Sequence, residues 1–393
     1  MSTAIDVRAL GAAAVDAMRR GDSRAARESF EKVVAAGKAD PSTFVGIAFA
    51  CRAMGDAAAA MDALNRALAL EPRNLQALIV KADFLVAGGD ARAAAAFYRA
   101  AVRAAPSRRD ALPAELRREV ERAEAAVARF AGEFEGFLEK ELAARGLGTD
   151  AGSRRFRQSL ELLYGRKEIF LQRPRYYYFP ELPLIQFFDR QLFPWMDAVE
   201  SSTAAIRAEA AAVLRDGTAF TPYVESEPNR PRNDQQGMLD NPDWSAFYLW
   251  KRGELVAQNA ARCPETMRAL EHIPLVKVQN RSPSVLFSLL RPGAHIPPHN
   301  GMVNTRLICH LPLIVPGQCE FRVGNESREW VEGRAWAFDD TIEHEAWNRS
   351  REPRVVMIFE VWRPELTEHE RRLVNAMFEA IDTHSGEKPA WEI

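Results

Sequence analysis

Four of the chain's seven histidines, His295, His299, His310 and His344, fall within fifty residues of one another. Neutral imidazole is a common ligand for transition metals, so histidines drawn together from separate segments suit a metal centre. His-Ile-Pro-Pro-His, residues 295–299, cannot be the helical histidine pair of a zinc protease, because two prolines forbid that helix. A strand-to-loop metal site is one reading of these histidines, and hydrogen-bonded structural or solvent-exposed residues are the other. Further polar residues interrupt apolar runs at even spacing, which places them on one face of a strand. Arg306, Ile308 and His310 share a face of TRLICHLPLIV, as do Arg354, Val356, Ile358 and Glu360 of RVVMIFEVW, and Ser288 lies with Leu286 and Leu290 in VLFSLL. A charged Arg inside an apolar strand is costly to bury unless an anion meets it. Nothing in the chain reads as a Ser-His-Asp set or a phosphate-cradling Gly loop.

The elements that must position these residues form a β-rich segment. The runs 285–290, 305–315, 319–323, 334–340 and 354–362 are separated by Gly, Pro and Asn turns, which predicts a barrel or sandwich. Helical stretches at 198–217 and 365–382 flank it. The first 130 residues differ in kind, being rich in Ala and Arg and poor in aromatics. There Gly-Asp recurs at Gly21, Gly55 and Gly89, a period of 34. Small residues (Ala26, Ala60, Ala94) and larger ones (Phe30, Leu64, Tyr98) keep the same phase, as do Ala14, Ala48 and Ala82 before each Gly. Pro72 and Pro106 close the second and third units, while Lys38 stands at that position in the first. Residues 113–130 read as an amphipathic capping helix, and 131–169 as a helical connector broken at GLGTDAG.

The phased positions resemble the tetratricopeptide repeat in three copies, about 7–40, 41–74 and 75–108, within a repeat domain spanning 1–130. Such arrays often present a concave surface to a peptide or another domain. The segments HIPPHNGMVNTRLICHLPLIVP and EFRVGNESREWVEGRAWAFDDTIEHEAWNRSREPRVVMIFEVWRPELT, with YYYFPELP, LFPWMDAVE and DWSAFYLWKRG before them, resemble the aspartyl/asparaginyl β-hydroxylase family of iron- and 2-oxoglutarate-dependent dioxygenases. The resemblance implies a double-stranded β-helix, of jelly-roll or cupin type, over 170–393, and so a multidomain α + β chain. It also implies Fe(II) on His299 and His344, and 2-oxoglutarate and O2 as cosubstrates. Arg354 and Ser288 would grip one carboxylate of 2-oxoglutarate, with His310 near the other. Trp250 would wall that pocket, core packing being its alternative, and Arg306 would anchor a substrate acid.

Two positions depart from common patterns. Gly301 stands where most non-haem iron oxygenases carry a carboxylate ligand, so water or one of Asp339 and Asp340 would complete the metal site. Ile308 replaces a second Arg found in many family members, so the preferred substrate would be less acidic than Asp or differently placed. The implied activity is hydroxylation of the β-carbon of Asp or Asn in a peptide or protein, with the repeats assisting. Alternatives are hydroxylation of a lipid acyl chain or small amino-acid metabolite, and a binding scaffold with an inactive catalytic domain.

Bulk properties narrow the field. A formal charge of -2 offers no basic surplus for nucleic acid, and no apolar run approaches the roughly 20 residues of a membrane span. The N-terminus does not read as a secretory signal, so a cytoplasmic location is expected. Cys51, Cys263, Cys309 and Cys319 lack metal or disulfide spacing and read as small buried hydrophobes.

Overall fold

The computed structural model describes residues 7–148, 154–226 and 235–385. It divides the chain after Tyr164 into two compact units, an all-helical one and a β-rich one. Among the described residues no helix is long and apolar enough to cross a membrane.

The first unit is a stack of helix pairs: α1 Val7–Arg19 with α2 Ser23–Ala35, α3 Pro41–Ala53 with α4 Ala57–Leu70, and α5 Leu75–Ala87 with α6 Ala91–Ala104. The repeated Gly-Asp acquires a physical reason here. Gly21, Gly55 and Gly89 adopt φ of 76°, 76° and 82°, the left-handed conformation that ends a first helix. The following Asp22, Asp56 and Asp90 accept backbone N–H bonds from Ala25, Ala59 and Ala93 and cap the next helix. Ala14, Ala26, Ala48, Ala60, Ala82 and Ala94 are fully buried where helices approach closely. A long α7, Ala114–Ala144, covers the open end through Val120, Ala123 and Ala126. Its Arg122 grips both carboxylate oxygens of Asp83, which also accepts the Tyr98 hydroxyl. α7 continues through residue 130, where composition suggested a boundary, because neither a proline nor a turn pair interrupts it. α8, Arg154–Leu163, ends the unit. Of the expected GLGTDAG break, residues 149–152 lie outside the described residues.

The second unit is a double-stranded β-helix flanked by helices. It opens with α9 Met196–Ser201 and α10 Thr203–Arg215, then β1 Thr221–Pro222, β2 Trp244–Lys251, β3 Glu254–Leu255, α11 Ala257–Ala260 and α12 Pro264–Leu270. The remaining strands are β4 Val285–Leu290, β5 His295–His299, β6 Arg306–Ile314, β7 Cys319–Val323, β8 Glu326–Glu329, β9 Trp336–Phe338, β10 His344–Asn348 and β11 Arg354–Trp362, before α13 Glu368–Ser385. One antiparallel sheet has the order β1-β2-β4-β11-β6-β9, with β3 beside β2, and the other runs β5-β10-β7-β8.

Strand periodicity decides what faces what. Phe247, Phe287, Leu311 and Met357 leave the larger sheet on one side and pack under α9, α10 and α12 through Met196, Ile206 and Leu270. The alternate residues, Trp244, Ser288, His310 and Arg354 among them, turn inward and line a cavity. α13 packs Val374 and Phe378 against Val276, Val278 and Val303. All four cysteines are free and buried, and burial pushes the Cys263 thiol up to about 12.

The segment leading to β10 is locked by a wholly buried ion pair, Arg363 to Asp339 at 2.6 Å, both 0% exposed. Asp339 also accepts from the Thr341 N–H, the Thr341 hydroxyl and the Gln172 amide. Arg363→Leu strands that carboxylate in the core and is expected to cost about 3–5 kcal/mol. Denaturant unfolding checks this, with Asp339→Leu added to Arg363→Leu recovering part of the loss; an unchanged midpoint in the single variant would contradict it.

Candidate active site

The cavity lies inside the sandwich, and register brings its residues together. β10 pairs with β5 so that His344 faces His299 across the ladder, with ring centroids 4.1 Å apart. Each ring is oriented by its own loop: His299 Nδ1 lies 2.7 Å from the Pro297 carbonyl and His344 Nδ1 3.1 Å from the Ile342 carbonyl. A carbonyl only accepts, so both Nδ1 atoms carry the proton and both Nε2 lone pairs are left for a ligand. Burial, and for His299 also the neighbouring His344, holds both pKa values down, His344 to about 4. The two rings are neutral at physiological pH and in the form that binds metal.

Of the two aspartates the sequence left open as a third donor, Asp339 is fully engaged elsewhere. Both oxygens of Asp339 are engaged in the structural set around Arg363. Asp340 Oδ2 accepts from Arg306 at 2.9 Å. Among the described residues no group of three or more His, Cys, Asp or Glu side chains converges as a metal site. Gly301 explains itself sterically: a Cβ there would stand 1.9 Å from Asp340 Oδ2. The carboxylate of Asp340 fills the space a side-chain ligand at 301 would need.

Arg354 is the most informative side chain. It is 1% exposed, and its guanidinium stacks 4.6 Å from the Trp330 ring centroid. Its Nε and Nη2 are buried with no hydrogen-bond partner. Burial lowers its pKa to about 10, so it stays charged at neutral pH. A desolvated cation without a carboxylate is strongly unfavourable by itself, which marks the spot as an anion receptor. Ser288 stands beside it, since β4 and β11 pair Ser288 with Val356 and Leu290 with Arg354. The Trp244 indole N–H donates to Ser288 Oγ at 3.2 Å, leaving the Ser288 O–H to donate onward. His310 accepts weakly at Nδ1 from the Trp330 indole N–H, at 3.4 Å, which puts its own proton on Nε2. Burial, and then the Arg354 charge, keep His310 neutral.

Arg306 lines the same cavity but is already partnered. Besides Asp340, Glu360 Oε1 lies 2.9 Å from its Nε, out of line for a hydrogen bond yet in ion-pair range. Burial opposes its charge, but the two carboxylates outweigh that and hold its pKa above the ordinary value. Burial pushes Asp340 and Glu360 up, and Arg306 pulls both back.

Trp250 needs correction. Trp244 and Tyr248 line the cavity, but the register shifts between Tyr248 and Trp250, and Trp250 packs beside Phe247 and Leu249 on the opposite face. The bulge breaks the simple alternation that would have turned it inward. Trp244 takes the expected wall position, 5.7 Å from His299 and stacked on Tyr223 at 4.1 Å. Trp330, the platform for Arg354, is the other residue sequence reasoning missed; no spacing pattern links the two.

In the metal-free protein the depressed histidine pKa values mean that the unfolded chain binds more protons below pH 6.5. The His344 contribution to stability is therefore expected to fall as pH drops from 6.5 toward about 4 and to level off below that. His344→Gln should flatten part of this slope in urea titrations; an identical slope in the variant would contradict the assigned protonation.

Comparison with known proteins finds similarity over the β-rich unit. Residues 200–364 match the family described as Aspartyl/Asparaginyl beta-hydroxylase. The chain is 36% identical over 145 residues to the human aspartyl/asparaginyl beta-hydroxylase, covering 37% of this chain and 19% of that protein. It is 34% identical over 180 residues to the ornithine lipid ester-linked acyl 2-hydroxylase of Rhizobium tropici, covering 45% of this chain and 60% of that protein. Among solved structures it is similar to the Yersinia enterocolitica type III secretion chaperone SycD in complex with a peptide of the translocator YopD, at 14% identity and a TM-score of 0.30 over 33% of this chain and 96% of that one. The chain thus spans less than two thirds of these curated relatives. The matched segment, residues 200–364, holds His299, His344, Ser288 and Arg354, and over it the β-rich unit of this chain is similar to the aspartyl/asparaginyl β-hydroxylase family.

Proposed function

We propose that this chain is an Fe(II)- and 2-oxoglutarate-dependent dioxygenase that hydroxylates the β-carbon of an Asp or Asn residue in a peptide or protein. The observation that carries the reading is the orphaned Arg354 guanidinium in a cavity also lined by two histidines whose Nδ1 atoms are engaged by backbone carbonyls, leaving Nε2 for a ligand. These residues fit the group. His299 and His344 would hold ferrous iron, and the remaining positions would fall to water and the cosubstrate. Arg354 and Ser288 would take the distal carboxylate of 2-oxoglutarate, with the fork geometry of guanidinium suiting a bidentate pair. His310, donating from Nε2, would meet the other carboxylate. When bound, iron with 2-oxoglutarate and O2 supplies the oxidising power that turns a C–H into C–OH, while 2-oxoglutarate becomes succinate and CO2.

The chain's own residues then do four things. The Pro297 and Ile342 carbonyls fix both imidazoles in one tautomer and orientation. Asp340 keeps the space beside Gly301 closed to a further side chain. Trp244, Phe321, Trp330 and Phe338 make the walls apolar and exclude water from the reacting carbon. Arg306, neutralised by Asp340 and Glu360, holds those carboxylates in place.

The repeat unit offers a groove between α3, α5 and α7, bordered by Phe49, Arg52, Gln76 and Ile79 and by Leu116 and Arg118. We assign it the holding of the peptide or a partner. A cytoplasmic setting is part of the same proposal.

The test is conversion of 2-oxoglutarate to succinate dependent on Fe(II) and a candidate peptide, with the gain of one oxygen on Asp or Asn read by mass spectrometry. His344→Ala should abolish turnover while the circular dichroism spectrum is kept. Arg354→Ala should raise the 2-oxoglutarate requirement by about tenfold or more, as expected for losing a buried charged pair. An active His344→Ala protein, or an unchanged requirement in Arg354→Ala, would contradict the assignment. Turnover with acyl lipids and with no peptide would instead favour lipid hydroxylation.

A further inference from the structure

The cavity contains two cations and two anions, and they are unevenly matched. Arg354 is unpaired, and on the dioxygenase reading it is consumed by the cosubstrate. Arg306 lies between Asp340 and Glu360, 2.9 Å from each. That cluster carries a net charge of minus one with both acids ionised and none with one protonated. In neither state is there a positive surplus to meet a second carboxylate. Ile308 adds no charge of its own: it faces the cavity from β6, its register partners being Glu360 on one side and Phe338 on the other. Leu286 and Ile358 extend the same apolar wall.

A second observation gives the wall a polar exception. Asp340 lines the cavity, is 1% exposed, and its Oδ1 is buried with no hydrogen-bond partner. An orphaned acceptor of this kind is costly until a donor reaches it. A carboxylate has no hydrogen to offer and would add like charge, and an alkyl chain has no donor. A carboxamide has two N–H donors and no charge.

We propose that the site takes an uncharged carboxamide side chain in preference to a carboxylate, that Asp340 Oδ1 receives its N–H, and that Ile308 is the specificity-determining residue. The inference rests on the dioxygenase reading and names the substrate class of that same site. Exposed Arg173 and Arg175, which border a groove running past His299, lie outside this inner wall and would act on flanking residues of a peptide.

The experiment is calorimetric binding to the full-length chain loaded with zinc(II), which does no redox chemistry, and 2-oxoglutarate. The probes are two short peptides differing only in Asn or Asp at the central position, together with a fatty acyl amide lacking any peptide. The Asn peptide is expected to bind about tenfold more tightly at neutral pH, the size of one unmet donor or one uncompensated charge. Ile308→Arg should narrow or invert that preference. Glu360→Gln, which removes a negative charge without adding bulk, should raise affinity for the Asp peptide by about threefold to tenfold and keeps the test open should Ile308→Arg fail to fold.

Equal or tighter binding of the Asp peptide by the natural chain would overturn the proposal. So would binding of the acyl amide alone, which would move the substrate class to lipid. If 2-oxoglutarate binds but neither peptide does, the carboxamide assignment falls and the cosubstrate reading stands. If 2-oxoglutarate itself fails to bind, both fall.

Discussion

The cost of burying Arg354 without a carboxylate organises the second unit. A guanidinium taken out of water into an aromatic-lined interior is unfavourable by several kcal/mol unless an anion returns what hydration supplied. Here the nearest compensation from the protein is the π-face of Trp330, 4.6 Å away, and two nitrogens remain unmet. The other buried arginines of the unit show the contrast. Arg363 has Asp339, Arg281 has Asp382, and Arg306 has Asp340 and Glu360. Three buried cations are closed within the protein, and the fourth is left open where a ligand can reach it.

Everything else follows from holding that cation still beside two histidines. The larger sheet anchors Arg354 and Ser288 on adjacent strands with a continuous hydrophobic layer behind them, from Phe287 and Met357 to the helices outside. The smaller sheet places His299 and His344 in one cross-strand pair. Because the two sheets face each other, Arg354 and the two histidines open into the same cavity although they share no hydrogen-bonded strand. The alignment of the histidine pair with Arg354 thus depends on packing between layers, not on any single loop.

Much of this was legible in the residues, and the misses have identifiable causes. β4, β7 and β11 begin and end where apolar alternation begins and ends, because those strands are bounded by turn residues. The repeat array was readable from the Gly-Asp period, since helix end and helix cap sit side by side in sequence. β5 was less visible: two prolines argue against a strand, and it is tolerated only because β5 is the edge of its sheet, with no ladder needed on one side. Trp250 was assigned to the pocket by resemblance alone, with core packing as its alternative, and the register shift in β2 puts it with the core on the opposite face. Alternation did put Arg306 and Glu360 on inward faces, but not their contact across β6 and β11, which depends on register. That contact turns Arg306 from an open anchor into a neutralised one.

The most direct test of the central claim, a two-histidine centre with an open anion receptor beside it, is anaerobic titration of Fe(II) and then 2-oxoglutarate into the purified full-length chain, watching for the visible charge-transfer band of the chelated complex. The account predicts a band that saturates at one 2-oxoglutarate per chain and is absent in His299→Ala. A folded protein that gives no band with iron in excess, or an undiminished band in His299→Ala, would contradict it.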